Sequence, residues 1–211
     1  MPKLHWSPRS PYVRKVMVAL HEKGLADRVE LVRTLADPMV PPEPFFAVNP
    51  MAKIPTLELE GEPPIWDSRV IVEWADAASD TGPRLLPGAP AARLRTLTDE
   101  ALGTGLIDIG MTLLIERVLR QADHRDPRVL AACARKFAAV LDHLETAIPT
   151  IAARPFDAGH IAIGVALCYL DFRFADLSWP EGRPALAAWH AGFRARPAVI
   201  ATEFRDDPRP G

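Results

Sequence analysis

Apolar and polar positions change period several times along the chain, and each change marks an element. Residues 3–6, KLHW, form a short run with strand character. From Pro11 the apolar positions recur at spacings of three and four, at Val13, Val16, Met17 and Leu20, which predicts a helix. Gly24 stands where that helix should end, because glycine accepts the left-handed conformation after a last turn. Residues 29–32 read as a second strand. Strand, helix, strand predicts a parallel pair joined by a helical crossover.

The next stretch, 37–50, is too rich in proline for a long regular element and leaves room only for a short helix at 43–48. Residues 56–59 alternate, 61–62 make a turn and 65–66 start another strand, so an antiparallel hairpin is expected. Residues 68–78 return to helical spacing, with Val70, Ile71 and Trp74 on one side. After residues 80–90, a Pro- and Gly-punctuated linker, the signal is helical only. Helices are predicted over 91–121, with Gly103, Gly105 and Gly110 as kink points, and from Pro127. A nearly all-apolar helix at 158–174 should be central. Two more follow, at 184–194 and from Pro197. The pattern divides the chain into a mixed α/β domain, 1–79, a linker, 80–90, and an all-helical domain, 91–211.

Composition narrows the function classes. The formal net charge is −2, with both signs spread along the chain and no basic block, which argues against a nucleic-acid partner. No apolar run is long enough to cross a bilayer, and the first residues lack the basic-then-apolar pattern of a secretory signal, so a cytoplasmic protein is expected. Cys133 and Cys168 lie in apolar helical segments, outside any CxxC pair or metal-ligand spacing, and read as small buried hydrophobes.

Three short motifs carry candidate chemistry. In SPRSPYVRKV, residues 7–16, Ser10 suits a helix cap with Pro11 at the first helical position. A helix N-terminus favours an anion, and a capping hydroxyl that accepts from the helix still has a proton to donate. Ser7 is the rival hydroxyl. In NPMAKIPTL, residues 49–57, Lys53, Ile54 and Pro55 lead into a strand. In WDSRVIVEW, residues 66–74, Asp67 or Ser68 caps the following helix, a natural carboxylate site.

The element order and these three motifs together resemble the cytosolic glutathione transferase superfamily, and among its members the bacterial ones with Ser-Pro-Tyr or Ser-Pro-Phe at the first helix. The resemblance covers the whole chain. It implies a thioredoxin-like N-terminal domain, βαβ then ββα with a mixed four-stranded sheet, and an all-α C-terminal domain. It implies that Ser10 stabilises the glutathione thiolate, with Arg14 and Tyr12 in support. Ile54, exposed by a cis Pro55, would pair with the backbone of the glutathione cysteine. Lys53 would meet the glycine carboxylate. Asp67 would meet the γ-glutamyl ammonium and Ser68 its carboxylate; many relatives carry glutamate where this chain has Asp67.

The resemblance further implies glutathione as co-substrate, no metal, a small electrophile bound between the domains, and a homodimer. Trp6, Tyr12, residues 106–116 and Tyr169 are the expected walls of the electrophile site. Serine in place of cysteine at position 10 disfavours thiol–disulfide exchange, which an alcohol cannot perform. Two alternatives stay open: a non-catalytic partner-binding protein of the stringent-starvation type, and a glutathione-dependent isomerase or lyase. The chain departs from the family at His160, where an aspartate is usual in the capping box before the central helix; Asp157 can still cap, and a pH-sensitive helix start is the sharper expectation.

Overall fold

A computed structural model describes residues 1–207. They form two compact units, Met1–Gly88 together with the chain from Pro197 onward, and Ala89–Arg196.

The first unit is built on a sheet of order β2-β1-β3, with β1 at Lys3–Trp6, β2 at Glu30–Arg33 and β3 at Thr56–Glu58. β1 runs parallel to β2 (Leu4 opposite Leu31) and antiparallel to β3 (Leu4 opposite Leu57). Helix α1, Pro11–Glu22, makes the crossover and buries Val13, Val16, Val18 and Leu20. Each such side chain contributes about 1.5–3 kcal/mol on burial. Gly24 follows the end of α1 at φ +63°, a conformation that favours glycine. Helix α2, Ser68–Ala77, packs beside α1.

The sheet has three strands among the described residues, not the expected four. The second arm of the predicted hairpin survives as one bridge, Leu57 to Ile65, closed by hydrogen bonds of 3.0 and 2.9 Å. Pro63 and Pro64 lack N–H groups, and Asp67 already caps α2, so only two residues remain for pairing.

The expected linker at 80–90 differs too. Leu85 and Leu86 are buried, and their N–H groups donate to Asp76 Oδ1 and Oδ2 at 2.8 and 3.0 Å. Lys23 Nζ lies 3.2 Å from the same buried carboxylate. This anchoring makes residues up to Gly88 part of the first unit.

The second unit contains α3 (Pro90–Leu114), α4 (Pro127–Ala152), α5 (Ala158–Arg173) and α6 (Pro184–Arg194). From Ala158 to Leu170 every residue of α5 is buried, as its apolar run predicts. The glycines of α3 do not break it; the helix runs unbroken to Leu114 and then loosens into a π-helical turn, Ile115–Leu119. Gly103 instead lets α3 approach α5, since a Cβ there would fall 2.4 Å from the carbonyl carbon of Ala162.

The short helix expected from Pro197 is present as α7, Pro197–Ile200, but it packs on α1 in the first unit rather than in the helical domain. Residues 208–211 of the predicted 91–211 domain lie outside the described residues. Among the described residues no helix is long and apolar enough to cross a membrane.

Candidate functional site

The topology brings the three motifs to one end of the sheet. β1 ends at Trp6 and runs directly into the loop carrying Ser7 and Ser10. Because His5 pairs with Thr56 in antiparallel register, Ile54 and Pro55, just before β3, lie level with the exit of β1. α2 starts at Ser68, and a buried hydrogen bond ties that start to α1, from Lys15 Nζ to Ser68 Oγ at 3.2 Å.

Ser10 caps α1 as the sequence predicts. Its Oγ accepts from Val13 N at 3.3 Å, and Pro11 occupies the first helical position. Ser10 N donates to Ser7 O at 3.2 Å, closing the loop into a turn. Ser7 is buried and its Oγ accepts from Arg9 N at 3.4 Å, whereas Ser10 is only half-buried. Arg14 is buried, and its Nη2 donates to Val199 O at 3.1 Å. Tyr12 is half-buried on the first turn of α1, and Trp6 is half-buried at the end of β1.

The Ile54–Pro55 peptide bond is cis, as expected, and Trp66–Asp67 is cis as well. Among the described residues neither the N–H nor the C=O of Ile54 has a hydrogen-bond partner. Lys53 is exposed. Its carbonyl is held by Asn49 Nδ2 at 3.0 Å and Thr56 Oγ1 at 2.8 Å. Asn49 is fully buried and also donates to Thr56 Oγ1 at 2.9 Å, so it fixes the turn that presents Ile54.

Asp67 is the cap of α2; its Oδ1 accepts from Arg69 N at 2.8 Å, and Oδ2 pairs with Arg69 Nη2 at 3.1 Å. Burial pushes the Asp67 acid up, but the hydrogen bonds and charge of Arg69, with Lys15 adding its charge, outweigh it and hold the group below the usual carboxylate range. Ser68 is buried, and its N–H, at the first position of α2, has no intrahelical acceptor.

Lys15, Asn49 and His5 belong to this region and were not singled out by sequence. Lys15 is completely buried. His5 spans from Thr34 Oγ1 to Glu58 Oε1, each 2.8 Å from a ring nitrogen, and thereby links β1 to both neighbours. The Asn-Pro pair at 49–50 is a turn signal, but nothing local marks Lys15 or His5.

Leu106 and Tyr169, expected as walls of an electrophile site, are buried in the helical unit. Burial pushes the Tyr169 phenol up to about 12. Cys133 and Cys168 are both buried, and burial raises the Cys133 thiol. Among the described residues no group of three or more His, Cys, Asp or Glu is arranged to hold a metal ion.

The helical unit has a cavity of about 210 Å³ lined in part by Asp171, Trp179, His190 and Arg194, and it includes none of the sequence-predicted residues. There Asp171 accepts from Trp179 Nε1 at 2.7 Å and meets His190 Nε2 at 2.9 Å. Burial raises this acid, but those two partners outweigh it and keep it below its usual range. The carboxylate is thus engaged by the protein itself.

Comparison with known proteins assigns the class. Residues 9–78 match the glutathione S-transferase N-terminal domain, and residues 127–192 match the corresponding C-terminal domain. The first match spans Ser10, Lys53–Pro55 and Asp67–Ser68. The chain belongs to the glutathione S-transferase family. It is 30% identical to the GST-like protein YibF of Escherichia coli K12 over 203 residues, 95% of this chain and 98% of that one. It is 29% identical to glutathione S-transferase F6 of Arabidopsis thaliana, over 93% of this chain and 96% of the other. A glutathione transferase family member from Pseudomonas fluorescens Pf-5, crystallised with bound glutathione, shares 38% identity at a TM-score of 0.93, covering 98% of this chain and 100% of that one. A glutathione S-transferase from Methylobacillus flagellatus with glutathione bound gives 30% identity and a TM-score of 0.87, covering 96% and 99%.

Proposed function

We propose that the protein is a glutathione transferase in which Ser10 stabilises the glutathione thiolate for attack on a small electrophile. The observation that carries this reading is the meeting of Ser10, Ile54–Pro55 and Asp67–Ser68 at one end of the sheet, in a chain 38% identical to a protein crystallised with glutathione.

Glutathione lies across these three places. Its γ-glutamyl ammonium meets Asp67, in part replacing Arg69, and its α-carboxylate takes the N–H and hydroxyl of Ser68 at the positive end of α2. The backbone of its cysteine pairs with the N–H and C=O of Ile54 as a short added strand. Lys53 reaches the glycine carboxylate. Ser10 Oγ accepts from Val13 N with one lone pair and donates its proton to sulfur. That hydrogen bond and the N-terminus of α1 both favour thiolate over thiol. The anion then attacks the electrophile, and holding both reactants together supplies the rest of the rate gain. Tyr12 and Arg14 support Ser10. On this reading the enzyme is a cytoplasmic homodimer that needs no metal.

Calorimetry with glutathione, with the bound thiol followed by ultraviolet absorbance, tests the proposal. Wild type should bind and show a thiol pKa below that of free glutathione. Absence of binding would overturn the assignment.

A further inference from the structure

The end of the chain returns to the loop that carries Ser10. After α7, a strap reaching Asp207 runs along residues 8–14 within the first unit. Arg205 N donates to Pro8 O at 3.3 Å. Arg9 Nε lies 2.9 Å from Asp206 Oδ1, and Arg33 Nε donates to Asp207 Oδ2 at 2.7 Å. Arg14 Nη2 donates to Val199 O at 3.1 Å, and its guanidinium carbon sits 4.4 Å from the centre of the Phe204 ring.

Magnitudes separate these contacts. The Asp206 and Asp207 pairs are partly exposed, and such surface pairs contribute little. The Arg14 contact differs, because the guanidinium is buried and lies over an aromatic face, where a desolvated cation–π contact is stronger than one at the surface. Arg14 also belongs to the first turn of α1, and its N–H donates to Ser10 O at 3.0 Å. Long side chains on a helix lean toward its N-terminus. The strap therefore holds a positive charge at the end of α1 that bears Ser10.

We infer that Phe204 is a positioning residue of the site: through its ring, with Val199 O, it fixes the Arg14 guanidinium so that its charge adds to the anion-stabilising field at Ser10. This rests on the glutathione reading above. A ring that served only as apolar cover would be replaced well by leucine, whereas a ring that holds a cation needs an aromatic face.

Three full-length variants separate these roles: Phe204→Ala, Phe204→Leu and Phe204→Tyr. In the alanine and leucine variants the bound thiol pKa should rise by about one unit, a roughly tenfold fall in the thiol's ionisation constant. Phe204→Tyr should match wild type. If leucine restores the wild-type pKa, or if all three variants leave it unchanged while wild type binds glutathione, the inference is wrong. If wild type does not bind glutathione, the functional reading fails separately. The strap is then judged by amide exchange at Val13 and Arg14 in the ligand-free protein. Faster exchange in the alanine and leucine variants than in the tyrosine variant supports the positioning role, and equal exchange in all three overturns it.

Discussion

Lys15 Nζ donates to Ser68 Oγ across 3.2 Å in the interior of the first unit, so a buried cation of α1 supports the first residue of α2. The same charge also helps hold the Asp67 acid down, behind the larger effects of burial and Arg69. Lys15 thus acts on both residues proposed to take the γ-glutamyl group, on Ser68 by a hydrogen bond and on Asp67 by its charge. Lys15→Met should weaken glutathione binding roughly tenfold, the scale of one hydrogen bond to a charged group. It should also move the Asp67 titration upward, toward the ordinary carboxylate value. A depressed carboxylate stabilises the fold above its unfolded pKa and loses that contribution as pH falls through the folded value. The variant should therefore show a smaller acid loss from Asp67. Calorimetry and a carboxylate NMR titration check both parts, and an unchanged Asp67 titration with unchanged affinity would leave the link purely structural.

Ser10 carries two roles that one substitution confuses. Ser10→Ala removes the hydroxyl and also costs about 1 kcal/mol of capping, whereas glycine at a cap costs only a few tenths. Ser10→Gly is the cleaner test. It should raise the bound thiol pKa by about one to two units, since hydrogen bonds to charged groups contribute about 1.5–3 kcal/mol. The melting temperature should hardly change. Ser7→Ala should leave the thiol alone, because Ser7 is buried whereas Ser10 is half-buried. A thiol shift in Ser7→Ala larger than in Ser10→Gly would reverse the assignment.

What could be read in the sequence was what local chemistry dictates. The cap at Ser10 with Pro11 behind it, the proline before β3, the cap at Asp67 and the apolar run of α5 each leave a signature within a few residues. Partners far apart in sequence leave none. Arg14 meets Val199 across 185 positions, and Lys15 meets Ser68 across 53. No periodicity anticipates that the tail rejoins the first unit, or that Asp76 fastens the supposed linker at Leu85 and Leu86. The lost fourth strand is an instructive failure: Ile65 does pair, but two prolines on one side and a helix cap on the other stop the ladder at one bridge.

The glycines of α3, expected as kink points, separate two kinds of position on one unbroken helix. A methyl group at Gly103 would fall 2.4 Å from backbone carbon of Ala162, and backbone cannot yield as a flexible side chain can. Gly103→Ala should therefore cost several kcal/mol, roughly 3 or more, as overpacking at a close helix contact does. A methyl at Gly105 meets nothing within 4 Å. Gly105→Ala should stabilise by about 0.5–1 kcal/mol, from the lower entropy of the unfolded chain and better helix propensity. Urea denaturation of both variants decides it; equal effects would mean that α3 and α5 are not in rigid contact.

At the start of α5, the departure at His160 is resolved by its partners. Nε2 faces Ile151 O at 3.0 Å, and Nδ1 lies 2.7 Å from Asp157 Oδ1, so both ring nitrogens face acceptors. The longer contact with Asp157 N, at 3.3 Å, asks Nδ1 to accept instead; the shorter contact to a carboxylate is the stronger, and it needs a proton on the ring. The His160 ring at the helix N-terminus is thus held between the Asp157 carboxylate and Ile151 O. Burial raises the Asp157 acid, but His160 and the Thr96 hydroxyl, 2.7 Å away, outweigh it and keep it below its usual range. Its contribution is present above the unfolded carboxylate pKa, near 3.8, and is lost as pH falls through the lower folded value. His160→Asp sets a second carboxylate against Asp157 and removes the donor to Ile151. Breaking a buried pair in this way should cost about 3–5 kcal/mol at neutral pH. The deficit should narrow toward pH 4, where protonating one acid of the facing pair relieves the repulsion. Thermal melts of both proteins from neutral pH into the carboxylate range give the answer, and a gap that stays constant with pH would show that the Asp157–His160 contact does not hold this helix start.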